Sequence, residues 1–468
     1  MQYKFIRNGV FHPLFKHIAL YLSFVPKTNN ELPMQGKKIW GVATLLILTL
    51  FILLLYALKP APIPKTEVAI SNDLRKPLED QNGNRLYRTR QQQLKTALTA
   101  YFDRAIASGD IVGAGVSIVK GDSIVISDGF GKKDIKFNDR IDESTIFRLG
   151  SLSKGFAGVL AAELKSEGKL DWMDKVSDYI PEFQLGDKNN TDKITLANIL
   201  SHTAGTPYHS YTNLVEAGLP LGDIAMRFKE IAPISEPGSM YSYQNAIFAL
   251  CGEMMQKVTG KDISTSLFNK FFNPLGMCSV IMDYETLARA ENVALPHAQR
   301  RGSWKTLPLS NNYYNAIAAG GINASSLDMA KWMRFLLGHN PELMDKAALG
   351  ETFDPFVEIK GRSKYYQRWP GHLSSYYGFG WRIHKFLEDG GDEEKTIWHH
   401  GGSVNDYRNE IALYPESDLG ICVLLNSNSN LAHTVIPDLY EIIREIYDKA
   451  AVSIPQPDIQ ISSNSYEE

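Results

Sequence analysis

The chain has 468 residues, a formal net charge of −3, 44% hydrophobic residues and 22% charged residues. Those fractions exclude a disordered or collagen-like chain, and the near-neutral charge argues against a nucleic-acid partner. Cys251, Cys278 and Cys422 are too few and too scattered for a disulfide framework, and no C-x-x-C pair suggests zinc.

Charge is uneven along the chain. Residues 1–38 hold Lys4, Arg7, Lys16, Lys27, Lys37 and Lys38 against Glu31 alone. The stretch Tyr3 to Pro26 mixes apolar and basic residues, which suits either an amphipathic helix on a membrane surface or disorder. From Ile39 to Leu58 there is no charge at all, and a helix of that length rises ~30 Å, the thickness of a bilayer core. The run is too long, and its basic lead too extended, for a cleaved signal peptide. A buried core helix is rarely apolar on every side. Residues 39–58 are therefore expected to form a single-pass anchor, with Trp40 and Tyr56 near its ends. The basic segment should lie on the cytoplasmic side and the rest outside.

Alternating prolines in Lys59 to Lys65 make a stiff spacer, and polar sequence continues to about residue 92. A folded body over 93–450 should open with a helix near Gln93 to Ser108. The pattern from Ile111 to Ser127, turning at Lys120-Gly121-Asp122, reads as a hairpin. Near the other end, Asn409 to Tyr414 and Leu419 to Leu425 read as strands, followed by a helix over Val435 to Asp448. Residues 451–468 read as a polar tail. Strands at both ends with helical, loop-rich sequence between imply a mixed α/β fold whose ends share one sheet.

Several chemistries lack their motifs. There is no G-x-G-x-x-G, P-loop, H-E-x-x-H or G-x-S-x-G, and no metal or cofactor is expected. What remains is Ser151-Leu152-Ser153-Lys154. A serine hydroxyl needs a base to become a nucleophile, and at helical spacing Lys154 shares a face with Ser151. Phe156, Val159, Leu160 and Leu164 would bury that helix. Burial beside other cations can lower the lysine pKa until the amine is neutral. Ser117/Lys120 and Ser166/Lys169 repeat the bare pattern, so context must decide.

The context of FRLGSLSKGFAG around Ser151 resembles the serine β-lactamase and penicillin-binding-protein superfamily, in particular class C β-lactamases and their esterase and D-amino-acid peptidase relatives. The resemblance runs through about Gln93 to Asp448. It implies an antiparallel sheet flanked by helices, with a mostly helical subdomain. It makes Ser151 the nucleophile and Lys154 its lysine. The Tyr-x-Asn motif falls at Tyr243 and Asn245, after Pro237-Gly238; Tyr211-Thr-Asn213 and Tyr313-Tyr-Asn315 fit only the bare triplet. The third motif falls at His399-His400-Gly401, and by the same analogy the backbone N–H groups of Ser151 and Gly402 form the oxyanion hole. Ile199 to Gly205 and the sequence around Gly320-Gly321 are further shared features, with His202 expected to be structural.

The resemblance implies acyl transfer. Lys154 and Tyr243 would share the base role, and Asn245 would bind the substrate amide or hold Lys154. His399, Gly401 and Gly402 would line the substrate. A histidine replaces the usual third-motif lysine, which leaves carboxylate recognition without its customary cation. The expected function is a membrane-anchored serine hydrolase facing the periplasm or cell exterior. Its substrate would be a small molecule or peptide with a D-Ala-type peptide, ester or β-lactam bond. A non-catalytic penicillin sensor and an inert binding protein are the alternatives.

Overall fold

The computed structural model describes residues 81–388 and 391–452. Helix α1 (Gln81–Ala107) buries Leu94, Leu98, Phe102 and Ala105, one stripe at helical spacing. Phe102 stacks on Phe130 with ring centroids 4.7 Å apart. This helix begins well before Gln93, so residues 81–92 are not linker. They lack an apolar stripe, but Arg90 anchors them by donating to Tyr447 O at 2.7 Å.

Eight of the strands that follow build the main sheet: β1 (Gly113–Lys120), β2 (Ser123–Gly131), β3 (Val357–Glu358), β4 (His372–Tyr377), β5 (Arg382–Leu387), β6 (Glu394–Val404), β7 (Tyr407–Tyr414) and β8 (Leu419–Leu425). They form one sheet in the order β2-β1-β8-β7-β6-β5-β4-β3, every neighbouring pair antiparallel. The expected hairpin is β1–β2, and β1 pairs with β8 from Ala114↔Leu425 to Lys120↔Leu419. The two ends of the described body therefore do meet in one sheet. Sequence pattern did not reveal β3, β4 and β5, whose mixed polar and apolar residues carry no clean alternation.

Strand alternation gives the sheet two apolar faces. On β8, Leu419, Ile421, Val423 and Leu425 pack in the layer that contains Leu94, Leu98 and Phe102, while Cys422 and Leu424 belong to the opposite layer. That second layer holds helices α2 (Ser153–Ser166), α3 (Asn245–Thr259) and α4 (Ser326–Leu336). Helix α5 (Val435–Val452) joins α1 on the first face through Val435, Ile436, Leu439 and Ile443. It runs slightly past the expected Asp448. The basic segment 1–38, the apolar run 39–58, residues 59–80 and the tail from 453 lie outside the described residues. Among those described, no helix is long and apolar enough to cross a membrane.

Helix α2 sits unusually close to the backbone that follows β4. A Cβ on Gly158 would lie 1.9 Å from Phe379 O, and one on Gly155 2.6 Å from the Trp381 ring. Gly158→Ala is therefore expected to push α2 off its seat, destabilising the fold by roughly 1–3 kcal/mol or more. Thermal unfolding measures this. Gly222→Ala, where nothing lies within 4 Å of the added carbon, should not lower Tm.

Candidate active site

Ser151 lies in a single 3₁₀ turn, Gly150–Leu152, that leads directly into α2. Gly150 makes the entry possible. Its φ is +56°, and an added Cβ would lie 2.9–3.0 Å from the backbone of Ser403 on β6. One helical turn on, Lys154 is completely buried. Its Nζ donates to Asn245 Oδ1 at 2.7 Å and Ala319 O at 2.8 Å, and lies 3.3 Å from Ser151 Oγ. Burial, and behind it the positive charge of Arg382, hold the Lys154 ammonium well below its ordinary value. Among the described residues, no carboxylate contacts the amine.

Tyr243 arrives from the loop before α3, and its hydroxyl donates to Ser151 Oγ at 2.7 Å. Burial pushes this phenol up to about 12, so it is a proton donor at neutral pH. Its ring is held by His202, 4.2 Å away between centroids. His202 Nδ1 accepts from the Gln244 N–H at 3.1 Å, so the neutral imidazole carries its proton on Nε2 and gives it to Tyr377 OH at 3.2 Å. Tyr377 in turn donates to His400 Nε2 at 2.9 Å, and His400 Nδ1–H donates to Gly401 O at 2.8 Å. His202 is thus structural, as expected. It belongs to a one-directional chain that joins the Tyr243 loop to β6.

β6 supplies the opposite wall. Its pairing with β5 ends at His399↔Arg382, while its pairing with β7 continues to Val404↔Tyr407. The outer edge from His400 onward is therefore free of a protein partner in the described sheet. The strand then reverses through Asn405 and Asp406, with φ of +44° and +63°, the left-handed pair of a tight hairpin turn. A Cβ on Gly402 would fall 2.1 Å from Leu149 O, and one on Gly401 2.6 Å from Tyr365 OH. Both faces of the strand are closed to side chains here, which brings its backbone against the nucleophile turn. Asn409 on β7 fastens that turn by donating to Arg148 O at 2.8 Å.

The beta-lactamase family profile matches residues 98–441. The chain belongs to the beta-lactamase family. Protein flp of Staphylococcus aureus (strain COL) is 24% identical over 359 residues, 76% of this chain and 67% of that protein. The unguisins hydrolase ungD' of Aspergillus campestris is 27% identical over 365 residues, covering 73% of this chain and 63% of its own length. Among solved structures, the octameric penicillin-binding protein homologue from Pyrococcus abyssi matches with a TM-score of 0.63 at 22% identity, over 76% of this chain and 80% of that one. EstCE1, a hydrolase with promiscuous acyltransferase activity, matches with a TM-score of 0.63 at 18% identity, over 76% and 98%. At these identities the two structures speak for the fold.

In this beta-lactamase-family site, Ser151, Lys154, Tyr243 and Asn245 converge, Gly402 lies against Leu149 just before the nucleophile turn, and Gly401 looks to Tyr365 and Glu410. His399 does not join the converging set. Neighbours on a strand face opposite ways, so His400 takes the Tyr377 side and His399 the other. There it is fully buried, 2.7 Å from Glu410 Oε2 and 3.0 Å from His384 Nε2. The third-motif histidine that faces the Tyr243 side is His400, one position later than the sequence reading placed it. The competing motifs scatter: Ser117 is buried in β1, and Tyr211 OH donates to Arg227 O. Tyr313 is the exception, since its hydroxyl accepts from Asn245 Nδ2 at 3.2 Å.

Sequence reasoning also missed Arg382 and Glu410. Arg382 Cζ lies 4.9 Å from the Tyr366 ring centroid, and its buried Nε and Nη1 have no hydrogen-bond partner among the described residues. Glu410 accepts from Tyr365 OH at 2.8 Å, and burial pushes its carboxyl up to about 7, while burial pushes His399 down. Arg408 Nη2 also lies 3.4 Å from Glu410 Oε1. Glu410→Ala strands the Tyr365 hydroxyl and the His399 nitrogen beneath Gly401, and should destabilise by about 1–3 kcal/mol for each unsatisfied group. Glu410→Gln, which still accepts one bond, should lose clearly less in the same thermal melt.

Proposed function

We propose that the protein is a membrane-anchored serine hydrolase that forms an acyl-enzyme on Ser151. The observation that carries this reading is the hydrogen-bonded set of Tyr243 OH, Ser151 Oγ and Lys154 Nζ. Of its three members, the amine is the one held deprotonatable by burial without a counter-ion. As Ser151 Oγ bonds to the substrate carbonyl, its proton passes to the neutral Lys154 amine. The backbone N–H groups of Ser151 and Gly402 receive the oxyanion, a contribution worth about 3 kcal/mol per donor in comparable sites. Tyr243, a phenol at neutral pH, protonates the leaving group, and the Lys154 ammonium restores the phenolic proton. Water then releases the acyl group by the same steps in reverse.

The substrate lies along the free edge of β6 and pairs with its backbone as an added strand. With histidine in place of a third-motif lysine, Arg382 is the cation that receives a substrate carboxylate. Its two buried nitrogens without a hydrogen-bond partner among the described residues support this assignment, because a guanidinium left without an acceptor can take one from a substrate carboxylate. The substrate is accordingly an acyl compound with a free carboxylate, of the D-amino-acid peptide or β-lactam type, with simple esters as poorer alternatives. The uncharged run 39–58 behind a basic segment supports a location at the cell membrane, with the hydrolase domain outside the cytoplasm. The names of the relatives, among them a hydrolase and a penicillin-binding protein homologue, are in keeping with the reaction class.

A fluorescent penicillin or an uncharged fluorophosphonate should label the wild type and not Ser151→Ala; labelling that survives the substitution sinks the acyl-enzyme. Arg382→Met should raise KM for a carboxylate-bearing substrate by about 10- to 100-fold, the worth of a charge-assisted hydrogen bond. p-Nitrophenyl acetate hydrolysis should change far less. Arg382 also depresses the Lys154 pKa, so its removal stabilises the ammonium. The acid limb of the kcat/KM profile for the uncharged ester should therefore move to higher pH.

A further inference from the structure

The Lys154 amine has three polar neighbours, and two of them, Asn245 Oδ1 and Ala319 O, can only accept. A neutral amine has two N–H bonds and one lone pair. Both N–H bonds are therefore committed, and the lone pair is left for Ser151 Oγ at 3.3 Å. This allocation holds only while Asn245 presents its oxygen. A half-turn of the amide would set its NH₂ against the amine and draw the lone pair away from the serine.

Packing alone does not distinguish the two orientations of an amide, because oxygen and NH₂ are nearly the same size. Hydrogen bonding does. Asn245 Nδ2 donates to Tyr313 OH at 3.2 Å, and Tyr313 OH donates to Glu216 Oε1 at 3.2 Å. An ionised carboxylate only accepts, so it takes the hydroxyl proton and leaves the phenolic oxygen as the acceptor for Asn245. Tyr313 is firmly placed: it is buried, has a φ of +72°, and its ring lies 2.8 Å from where a Cβ on Gly320 would stand. Left-handed backbone at a bulky aromatic residue persists only where the surroundings over-determine it. The same loop brings in Ala319, so one segment provides both the second acceptor and the lock on the first.

We infer that Tyr313 and Glu216 are positioning residues that fix the orientation of the Asn245 amide and thereby direct the Lys154 lone pair at Ser151. The chain of polarity runs from an exposed carboxylate at the end of the helix Thr212–Glu216 to the buried base. This inference rests on the hydrolase reading above, and its test separates the two.

Acylation by an uncharged fluorophosphonate, followed by stopped-flow fluorescence, gives a maximal rate and a half-saturating concentration for each variant. Tyr313→Phe keeps the ring and removes the hydroxyl; its maximal rate should fall about tenfold, the worth of one hydrogen bond to the reacting set, with half-saturation within about twofold. Glu216→Lys lies on the surface and leaves the core intact. Its ammonium can only donate, so the Tyr313 hydroxyl must turn its proton toward Asn245, which favours the flipped amide. That variant should be slower than Glu216→Ala, and Glu216→Gln, which retains a carbonyl acceptor, should restore most of the rate. Should Tyr313→Phe fail to fold, the three Glu216 variants carry the test. Wild-type acylation in Glu216→Lys overturns the inference while leaving the nucleophile assignment intact. Absence of acylation in the wild type overturns the hydrolase reading itself.

Discussion

A lysine is buried without an opposing charge, and the arrangement of the site follows from that constraint. Transfer of an ammonium into the interior is costly unless it is paired, and the ordinary outcome is loss of its proton. Lys154 meets carbonyl oxygens, a hydroxyl and aromatic faces, with its Nζ 4.8 Å from the Tyr243 ring centroid and 5.3 Å from that of Phe248. Every neighbour tolerates a neutral amine, and none supplies the negative charge that would hold a proton on it. The penalty of burial is converted into basicity available at neutral pH. The helix therefore has to be sealed against β5 and the Phe379 turn, which is the structural reason for glycine at 155 and 158.

The sheet acts as a second constraint. β6 performs two tasks on its two faces: His400 and Gly402 look toward the nucleophile side, while His399 and Gly401 look toward Glu410 and Tyr365. The back face is held by a connected polar set, in which Ser375 links His372 and His384 before His384 meets His399. That set keeps the strand rigid where two consecutive glycines would otherwise soften it. A supported backbone is what a preorganised donor requires, because reorganisation during reaction would consume its advantage.

Much of this was legible in the residues themselves. Ser151, Lys154, Tyr243 and Asn245 stand in motifs whose spacing reflects one helical turn or one loop, so local sequence carries their geometry. The central strands β1, β7 and β8 are apolar enough to be read directly. The errors have physical causes. His399 and His400 are adjacent, and which of them faces the site depends on strand register, a long-range property. β4 and β5 carry histidine, lysine and arginine because they line polar networks, and that masks their alternation. Arg382 and Tyr313 stand far from the motifs in sequence, and only the fold brings Tyr313 OH to Asn245 and the Arg382 charge near Lys154. The start of α1 at Gln81 was hidden because its first turns are polar and exposed.

On the reading proposed above, the unpaired margin of β6 from His400 to Val404 would select by shape before it selects by side chain. A chain bound in that way would lie extended and present its own amide hydrogens in line with that margin. A proline at a pairing position has no hydrogen to offer, and a methylated amide is equally silent. Helical or tightly turned peptides would be refused at the entrance, however well their termini suited the pocket. The enzyme would in this way discriminate among acyl compounds by backbone conformation, leaving the folded proteins around it uncut.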